Sequence, residues 1–391
     1  MKKDTLRLLF KPLTIVNKVI PKDKNLVLFY TNLGFRDNVK ELYEYMVDNG
    51  LNKRYKIVLS VDDESMIKKL PRGVVVVNNK EGIKYFLRAK YMFFCFGKYP
   101  IKPANGQVVV NLTHGIPLKS LGNTEKGKEK VDYNFFTYVV TCSEYYRQIM
   151  KNCFGCFDNQ ILIAGQPRCD RLFMELPAID SKIKKGAGKL IVWMPTYRFT
   201  SMEESHKELL KWPFSLVNGE NIKELDEILR KIDTKLIIKL HPLQAFNDVD
   251  YKSLKLSSIE ILTQKEIDKR DVNVYDLCRA SDGLITDYSS IYFDYLLLNR
   301  PIGFVVEDMH KYEMERGFLL EPPKDYMPGR FIKTYEDMLL FVESVVEGTE
   351  KYAPDRSRVN HLINYYQDGN NSKRLLEKIG MDSTYPGSED E

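Results

Sequence analysis

The chain has 391 residues, of which 43% are hydrophobic, so it is long enough for two packed domains and is not globally disordered. Its net charge is +5, and residues 1–24 carry seven basic and two acidic groups, so the rest of the chain is neutral. A protein that wraps nucleic acid spreads its positive charge over a binding face, so this distribution excludes nucleic acid as a partner.

Six cysteines lie mostly within apolar runs, which is typical of free buried thiols in a cytoplasmic protein. Cys153 and Cys156 have the spacing of half a zinc site, but no second pair follows at ligand spacing, and no metal is predicted. The sequence contains no signal peptide and no apolar run of about 18 residues or more. We therefore expect a chain that is neither secreted nor membrane-spanning.

Residues 1–24 are predicted to form a basic amphipathic segment that associates with a membrane. Between residues 3 and 20, apolar side chains recur on one helical face and lysines and an arginine on the other. Pro12 should kink or split this helix. Such a segment can lie in the headgroup layer of an anionic membrane, and the alternative is a surface helix packed on the first domain.

From residue 25 onward, continuous apolar strands alternate with helical segments, which predicts parallel sheets covered on both faces. The simplest α/β architecture is two doubly wound, Rossmann-like domains that face each other across a cleft. The predicted parts are an N-terminal domain (25–178), a C-terminal domain (190–354), a C-terminal crossover helix (355–381) and a disordered tail (382–391).

The stretch from Ser281 to Arg300 carries the clearest functional pattern. A short strand, Gly283–Thr286, is followed by the polar turn Asp287–Ser290 and then by a helical pattern to Leu298. This order places the helix-start amides and the Ser289 and Ser290 hydroxyls at the strand's carboxyl edge, where they can bind an anion. Alternatively, Asp287 or Ser289 simply caps the helix.

Further polar residues follow the ends of other predicted strands, where ligands bind in doubly wound sheets. They are His114, Lys119, Arg168, Asp170, Arg198 and His241. Each has a structural alternative: a turn hydrogen bond for a histidine, a solvated charge for Lys119 or Arg198, and an ion pair of Asp170 with Arg168 or Arg171. Their recurrence at one edge favours a functional site.

Several motifs, in this order, resemble the CDP-glycerol glycerophosphotransferase family, the teichoic acid primases and polymerases. They are Asn38–Tyr45, Thr113–Gly122, Gly165–Asp170, Pro195–Arg198, Lys239–Pro242, Ile285–Asp294, Arg316–Phe318 and Asp368–Arg374. The resemblance spans roughly residues 20–380. The family usually has a tryptophan where this chain has Thr113, and the opening strand lacks the usual aromatic-glycine character.

The resemblance implies a GT-B-like pair of domains, with the acceptor in the N-terminal one and a CDP-alditol donor in the C-terminal one. The enzyme would transfer glycerol phosphate or ribitol phosphate to a hydroxyl of a lipid-linked glycan or growing polymer, releasing CMP at the cytoplasmic face of the membrane.

For that reaction, His114 is the candidate general base, and His241, Ser289, Ser290 and Arg316 are candidates for binding the donor phosphates. Asp294 would receive a ribose or alditol hydroxyl, or else pair with Arg300. No cofactor and no protein-bound metal are expected.

Two other classes remain open from the sequence. A GT-B glycosyltransferase or an epimerase acting on a UDP-sugar would share the fold and the diphosphate site. A non-catalytic scaffold at the membrane would be indifferent to His114→Ala.

Overall fold

The computed structural model describes residues 3–63, 70–175, 180–196, 216–219, 221–241, 254–270 and 272–385. The candidate Arg198 and residues 386–391 of the predicted tail lie outside these ranges. The chain divides into two compact units. The first unit comprises Met1–Ile116, Ser120–Asp170 and Leu362–Glu391, and the second comprises Pro117–Lys119 and Arg171–His361.

The first unit is built on a parallel sheet of seven strands in the order β3-β2-β1-β4-β5-β6-β7. Its strands are β1 (Asp23–Tyr30), β2 (Lys56–Val61), β3 (Val74–Asn78), β4 (Ala89–Phe94), β5 (Val108–Asn111), β6 (Tyr138–Thr141) and β7 (Ile161–Ile163). The helices that precede or connect them are α1 (Lys3–Val19), α2 (Asp37–Asp48), α3 (Gly82–Arg88) and α4 (Arg147–Phe154).

Helix α1 runs unbroken across Pro12, so the proline does not split it. Its Asn17 side chain is buried and donates to the carbonyl oxygen of Lys102 and to the amide oxygen of Gln107. On the outer face, Ile15 is 69% and Val19 is 77% exposed. The helix is therefore packed on the first unit along one face and presents apolar side chains on another.

The second unit contains a parallel sheet of six strands in the order β10-β9-β8-β11-β12-β13. Its strands are β8 (Lys189–Trp193), β9 (Thr234–Lys239), β10 (Ile259–Leu262), β11 (Gly283–Thr286), β12 (Ile302–Val305) and β13 (Arg330–Ile332). The helices are α5 (Asn221–Lys231), α6 (Gln264–Lys269), α7 (Val274–Ala280), α8 (Ile291–Tyr295), α9 (Met309–Arg316), α10 (Tyr335–Glu347) and α11 (Ala353–Ile363).

After α11 the chain forms a further helix, α12 (Asn371–Lys378), so the stretch predicted as one helix forms two. Leu375 and Leu376 of α12 are fully buried in the same apolar core as the strands of the first unit. The last helix therefore completes the first unit, although it follows the second unit in the sequence.

The predicted α/β class with two doubly wound parallel sheets is confirmed. The six cysteines are free and buried, as predicted. None of the helices in the described part of the chain is long and apolar enough to cross a lipid bilayer.

Candidate functional site

The strand order of the second sheet reverses between β8 and β11, and ligands of doubly wound sheets bind at this point of the carboxyl edge. Asp287 follows β11 and is only 2% exposed. Its Oδ2 accepts hydrogen bonds from the Thr196 amide at 2.9 Å and the Thr196 hydroxyl at 2.7 Å. Asp287 therefore joins the turns after the two central strands and does not cap α8.

The turn after Asp287 leads into a short helix. α8 has five residues and its N-cap, Ser290, makes no side-chain capping bond. The Ser289 hydroxyl accepts a long hydrogen bond, 3.4 Å, from the Ile291 amide. Because so short a helix has a small dipole, an anion here would depend mainly on the serine hydroxyls and on nearby cations.

Lys119, in the second unit, lies within electrostatic range of both Asp287 and Arg316. Lys119 forms an antiparallel bridge with Phe318, and the Leu319 amide donates to the carbonyl oxygen of Leu118 at 2.8 Å. Burial lowers the pKa of Lys119; the Asp287 carboxylate opposes this shift, and the Arg316 guanidinium adds to it. Lys119 therefore experiences the fields of one anion and one further cation, and the three side chains together carry a net positive charge.

An aromatic cluster holds Arg316 beside this turn. The Tyr288 ring lies 4.3 Å from that of Tyr312 and 5.7 Å from that of Phe318, between ring centroids. Arg316 is the exposed last residue of α9, and Gly317 then adopts a left-handed φ of 70°. Packing of Phe318 against Tyr288 therefore connects the Arg316–Phe318 motif to the Asp287 motif.

His241 follows β9, which neighbours β8, so it lies at the same carboxyl edge and is half-buried. Asp294 has a different environment. It is 1% exposed, and the Tyr275 hydroxyl donates to its Oδ2 at 2.7 Å. Arg300 donates to the carbonyl oxygens of Arg279 and Ser281, so the predicted Asp294–Arg300 pair is wrong.

In the first unit, the turn after β5 presents His114. Thr113 adopts a left-handed φ of 57°, which costs a β-branched residue about 1–3 kcal/mol. His114 is exposed, and its ring centroid lies 5.5 Å from that of Phe96, which follows β4. The strained turn thus directs the imidazole away from the core at the carboxyl edge of the sheet.

The buried amide of Asn38 holds this turn. Its Nδ2 donates to the carbonyl oxygens of Leu112 and Thr113 at 3.3 and 3.1 Å and also to the Gln166 side chain. Its Oδ1 accepts from the Arg168 amide at 3.1 Å. The Gln166 side chain in turn donates to the Thr113 hydroxyl at 3.2 Å. We call Asn38 and Gln166 the amide clamp.

Arg168 and Asp170, both predicted at the site, make buried contacts within the first unit. Arg168 pairs with Asp37 at 2.8 Å. Asp170 accepts from the Asn371 and Ser372 amides at 2.7 and 2.8 Å and so caps α12. Because Arg171 pairs with Asp276, the predicted alternative pairing of Asp170 with Arg168 or Arg171 is wrong.

Sequence reasoning did not assign roles to Asn38, Thr196 or Gln166. All three lie within motifs that carry the family resemblance, which was the only available signal, because their partners are distant in sequence. Among the residues that the structure describes, no group of three or more His, Cys, Asp or Glu side chains could hold a metal ion.

Comparison with known proteins gives a family match over most of the chain. The model of the CDP-Glycerol:Poly(glycerophosphate) glycerophosphotransferase family matches residues 13–380. The chain is 26% identical over 411 aligned residues to a teichoic acid poly(glycerol phosphate) polymerase of Bacillus spizizenii, covering 95% of this chain and 97% of that protein. It is 24% identical to the teichoic acid ribitol-phosphate polymerase TarK of Staphylococcus aureus, covering 95% and 71%.

A solved structure of the wall teichoic acid polymerase TagF matches with a TM-score of 0.74 at 21% identity. The match covers 97% of this chain and 93% of that one. It identifies the GT-B-like fold that the resemblance implied.

Replacing Asn38 with alanine should loosen the turn that carries His114. Removing the amide leaves buried carbonyl oxygens without their donor, so the opening free energy of the β5 amides should fall by about 2–4 kcal/mol. Hydrogen exchange measured by mass spectrometry reports this change. The control, Asn52→Ala, loses one exposed bond to the Arg72 carbonyl oxygen and should leave β5 protected. Unchanged exchange in Asn38→Ala would show that the clamp does not hold the turn.

Asp170 should make stability depend on pH near neutrality. Burial raises the pKa of Asp170 to about 7, against the opposing effects of Ser372, Asn371 and Arg374. The folded protein therefore holds the proton more tightly than the unfolded chain does. The resulting stabilisation is present below the ordinary pKa of 3.8 and is lost as pH rises through about 7.

The measurement is the urea midpoint of wild type and Asp170→Asn between about pH 5 and 8. The wild-type midpoint should decline with rising pH relative to that of the variant, which cannot ionise. Parallel pH profiles would contradict the assignment.

Proposed function

The chain belongs to the CDP-glycerol:poly(glycerophosphate) glycerophosphotransferase family, and we propose that it transfers the alditol phosphate of a CDP-alditol to a hydroxyl group of a teichoic-type acceptor. The observation that carries the proposal is the grouping of Lys119, Asp287 and Arg316 at the point where the second sheet reverses its strand order. These residues come from three separate family-like motifs, and folding brings them together.

The second unit supplies the donor-binding groups. Lys119 and Arg316 provide positive charge for a diphosphate, and the half-buried Ser289 and Ser290 hydroxyls can donate to its oxygens. His241 lies at the same edge and can donate to a further phosphate oxygen. Asp287 is engaged with Thr196, so its role is to fix the turn that carries the serines.

The first unit supplies the base. The acceptor hydroxyl attacks the phosphorus that bears the alditol, and a new phosphorus–oxygen bond forms. The bond from this phosphorus to the oxygen bridging the two phosphates breaks, and that oxygen leaves with its electron pair as part of CMP. His114, exposed on its strained turn, accepts the proton of the attacking hydroxyl.

The acceptor is a lipid-linked glycan or a growing polymer, and α1 keeps the enzyme beside it at the cytoplasmic face of the membrane. The exposed Ile15, Val16 and Val19 enter the headgroup region, and Lys11 and Lys18 contact anionic lipids. The CDP-alditol is a substrate rather than a cofactor, and no resident metal takes part.

Purified protein should release CMP from CDP-glycerol or CDP-ribitol only when a lipid-linked acceptor is present. His114→Ala should lower kcat by about 10²–10⁴-fold, because the hydroxyl loses its base. The control is His361→Ala, an exposed histidine outside the proposed site, which should retain full activity. EDTA should leave the rate unchanged.

Turnover of a UDP-sugar without CMP release from either donor would refute the proposal in favour of a sugar transferase or epimerase. Equal activity of His114→Ala and wild type would refute the proposal that His114 is the general base.

Membrane association should depend on the outer face of α1. The double substitution Ile15→Glu and Val19→Glu removes apolar surface and adds negative charge, so binding to phosphatidylglycerol vesicles should weaken at least about tenfold. Co-sedimentation measures the change.

Phe157→Glu is the control, because Phe157 is an equally exposed apolar residue, at 73%, elsewhere in the first unit. Loss of binding in the control as well would indicate a general charge effect rather than a specific role of α1.

A further inference from the structure

The first sheet also has a point of strand-order reversal, between β1 and β4, and Arg36 and Phe96 follow these two strands. The carboxyl edge at such a point is where doubly wound sheets bind ligands. The proposed acceptor-side unit therefore has a second location, besides the His114 turn, at which a ligand is expected.

The loop after β1 is held by a hydrogen bond within itself, by one to Asp62 after β2, and by close packing against the loop after β4. The Thr31 hydroxyl donates to the Gly34 carbonyl oxygen at 2.8 Å, and the Gly34 amide donates to Asp62 at 3.2 Å. Gly97 has a φ of 66°, and a Cβ atom there would lie 2.5 Å from the Asn32 side chain. The close packing of the loops fixes the backbone on either side of the edge.

Arg36 lies on these loops as a cation without an acidic partner among the residues that the structure describes. The nearest carboxylate in sequence, Asp37, is paired with the buried Arg168. The Arg36 guanidinium lies over the Phe96 ring, with Cζ 5.7 Å from the centroid. The side chain is half-buried, so its positive charge is held in position while remaining accessible.

Phe96 connects this cation to His114. Its ring centroid is 5.5 Å from that of His114, and the two rings are inclined by 31°. Arg36 and His114 therefore border the same aromatic side chain, one as a fixed cation and the other as the proposed base. A ligand with a hydroxyl at His114 and an anionic group a short carbon chain away would match both.

We infer that Arg36 binds the phosphodiester of the terminal alditol phosphate of the acceptor and thereby makes the enzyme favour an acceptor that already carries such a unit. In glycerol phosphate or ribitol phosphate, a short carbon chain separates the free hydroxyl from the phosphate. The guanidinium suits this group because its planar donors match two phosphate oxygens. This inference rests on the proposed function and deepens it.

The test compares two acceptors that differ by one unit: a lipid-linked glycan with a neutral terminal sugar, and the same glycan extended by one alditol phosphate. Arg36→Gln should raise KM for the extended acceptor about 10- to 100-fold, since a charge-assisted hydrogen bond is lost. KM for the neutral acceptor and kcat for both should stay near wild type.

Arg88→Gln is the matched control, because Arg88 is exposed on the same unit and directly precedes β4, at the opposite edge of the sheet. Arg36→Lys, which keeps the charge but not the paired donors, should be intermediate. An equal rise of KM for both acceptors in Arg36→Gln, or no rise with either, would overturn the inference.

A second measurement separates this inference from the proposed function. Binding of a soluble synthetic oligo(glycerol phosphate) to the full chain is measured by calorimetry, without donor. Binding by wild type and its loss in Arg36→Gln would support the anion site even if no CMP release were found. No binding by wild type would refute the site.

Phosphatidylglycerol offers the same phosphodiester chemistry at a membrane. Vesicle binding should therefore be measured for Arg36→Gln as well, and it should equal that of wild type. A loss of vesicle binding that matches the loss of oligomer binding would assign Arg36 to lipid headgroups and overturn the acceptor role.

Discussion

The hydrogen bonds of the Asn38 amide are the constraint on which the carboxyl edge of the first sheet, with its His114 turn, depends. They connect the start of α2, the turn after β5 and the segment after β7. Each bond contributes about 1 kcal/mol net, but leaving a buried group unpaired costs about 1–3 kcal/mol. The network is therefore stable only when all its members are present, and it can hold Thr113 in a backbone conformation that a threonine otherwise avoids.

In the second unit, a carboxylate and a set of packed aromatic rings hold the turns in place, where the first unit uses a buried amide. Asp287 connects the turns after β8 and β11 through a charged acceptor and the two donors of Thr196. Phe318 and two tyrosines then position Arg316 by packing rather than by hydrogen bonds. In both units, the side chains best suited to chemistry are exposed or half-buried, while the groups that position them are buried.

Most of the fold could be predicted from the sequence, because strands such as β1 and β11 contain continuous apolar runs, Leu26–Tyr30 and Gly283–Ile285, and are separated by helical patterns. The sequence does not indicate strand β13, because Arg330–Ile332 contains only two consecutive apolar residues. Helix α8 is shorter than its apolar pattern indicates. Leu296–Leu298 tighten into a 3₁₀ turn, and Asn299 ends it with a left-handed φ of 47°.

The position of a polar residue at a sheet's carboxyl edge was predictable where it closely follows an apolar run, as His114, His241 and Asp287 do. The hydrogen bonds that hold the turns in place were not predictable, because they join residues far apart in the chain. Asn38 and Gln166 are 128 residues apart, and no local pattern relates them. Arg168 and Asp170 were predicted as site residues because they, like His114, follow a predicted strand. In the structure, Arg168 pairs with Asp37 and Asp170 accepts hydrogen bonds from the first amides of α12.

The return of α12 to the first unit has a consequence for biosynthesis. The Asn371 amide that Asp170 accepts from is 201 residues further along the chain. At translation rates of about 5–20 residues per second, roughly 10–40 s separate the synthesis of these two partners. During that interval, a seven-stranded sheet formed by the nascent chain would lack Leu375 and Leu376 in its core, while both segments of the second unit, Pro117–Lys119 and Arg171–His361, are synthesised before α12. The nascent chain therefore completes its domains in the reverse of the order in which it begins them, and the early sheet is the part that chaperones would have to shield.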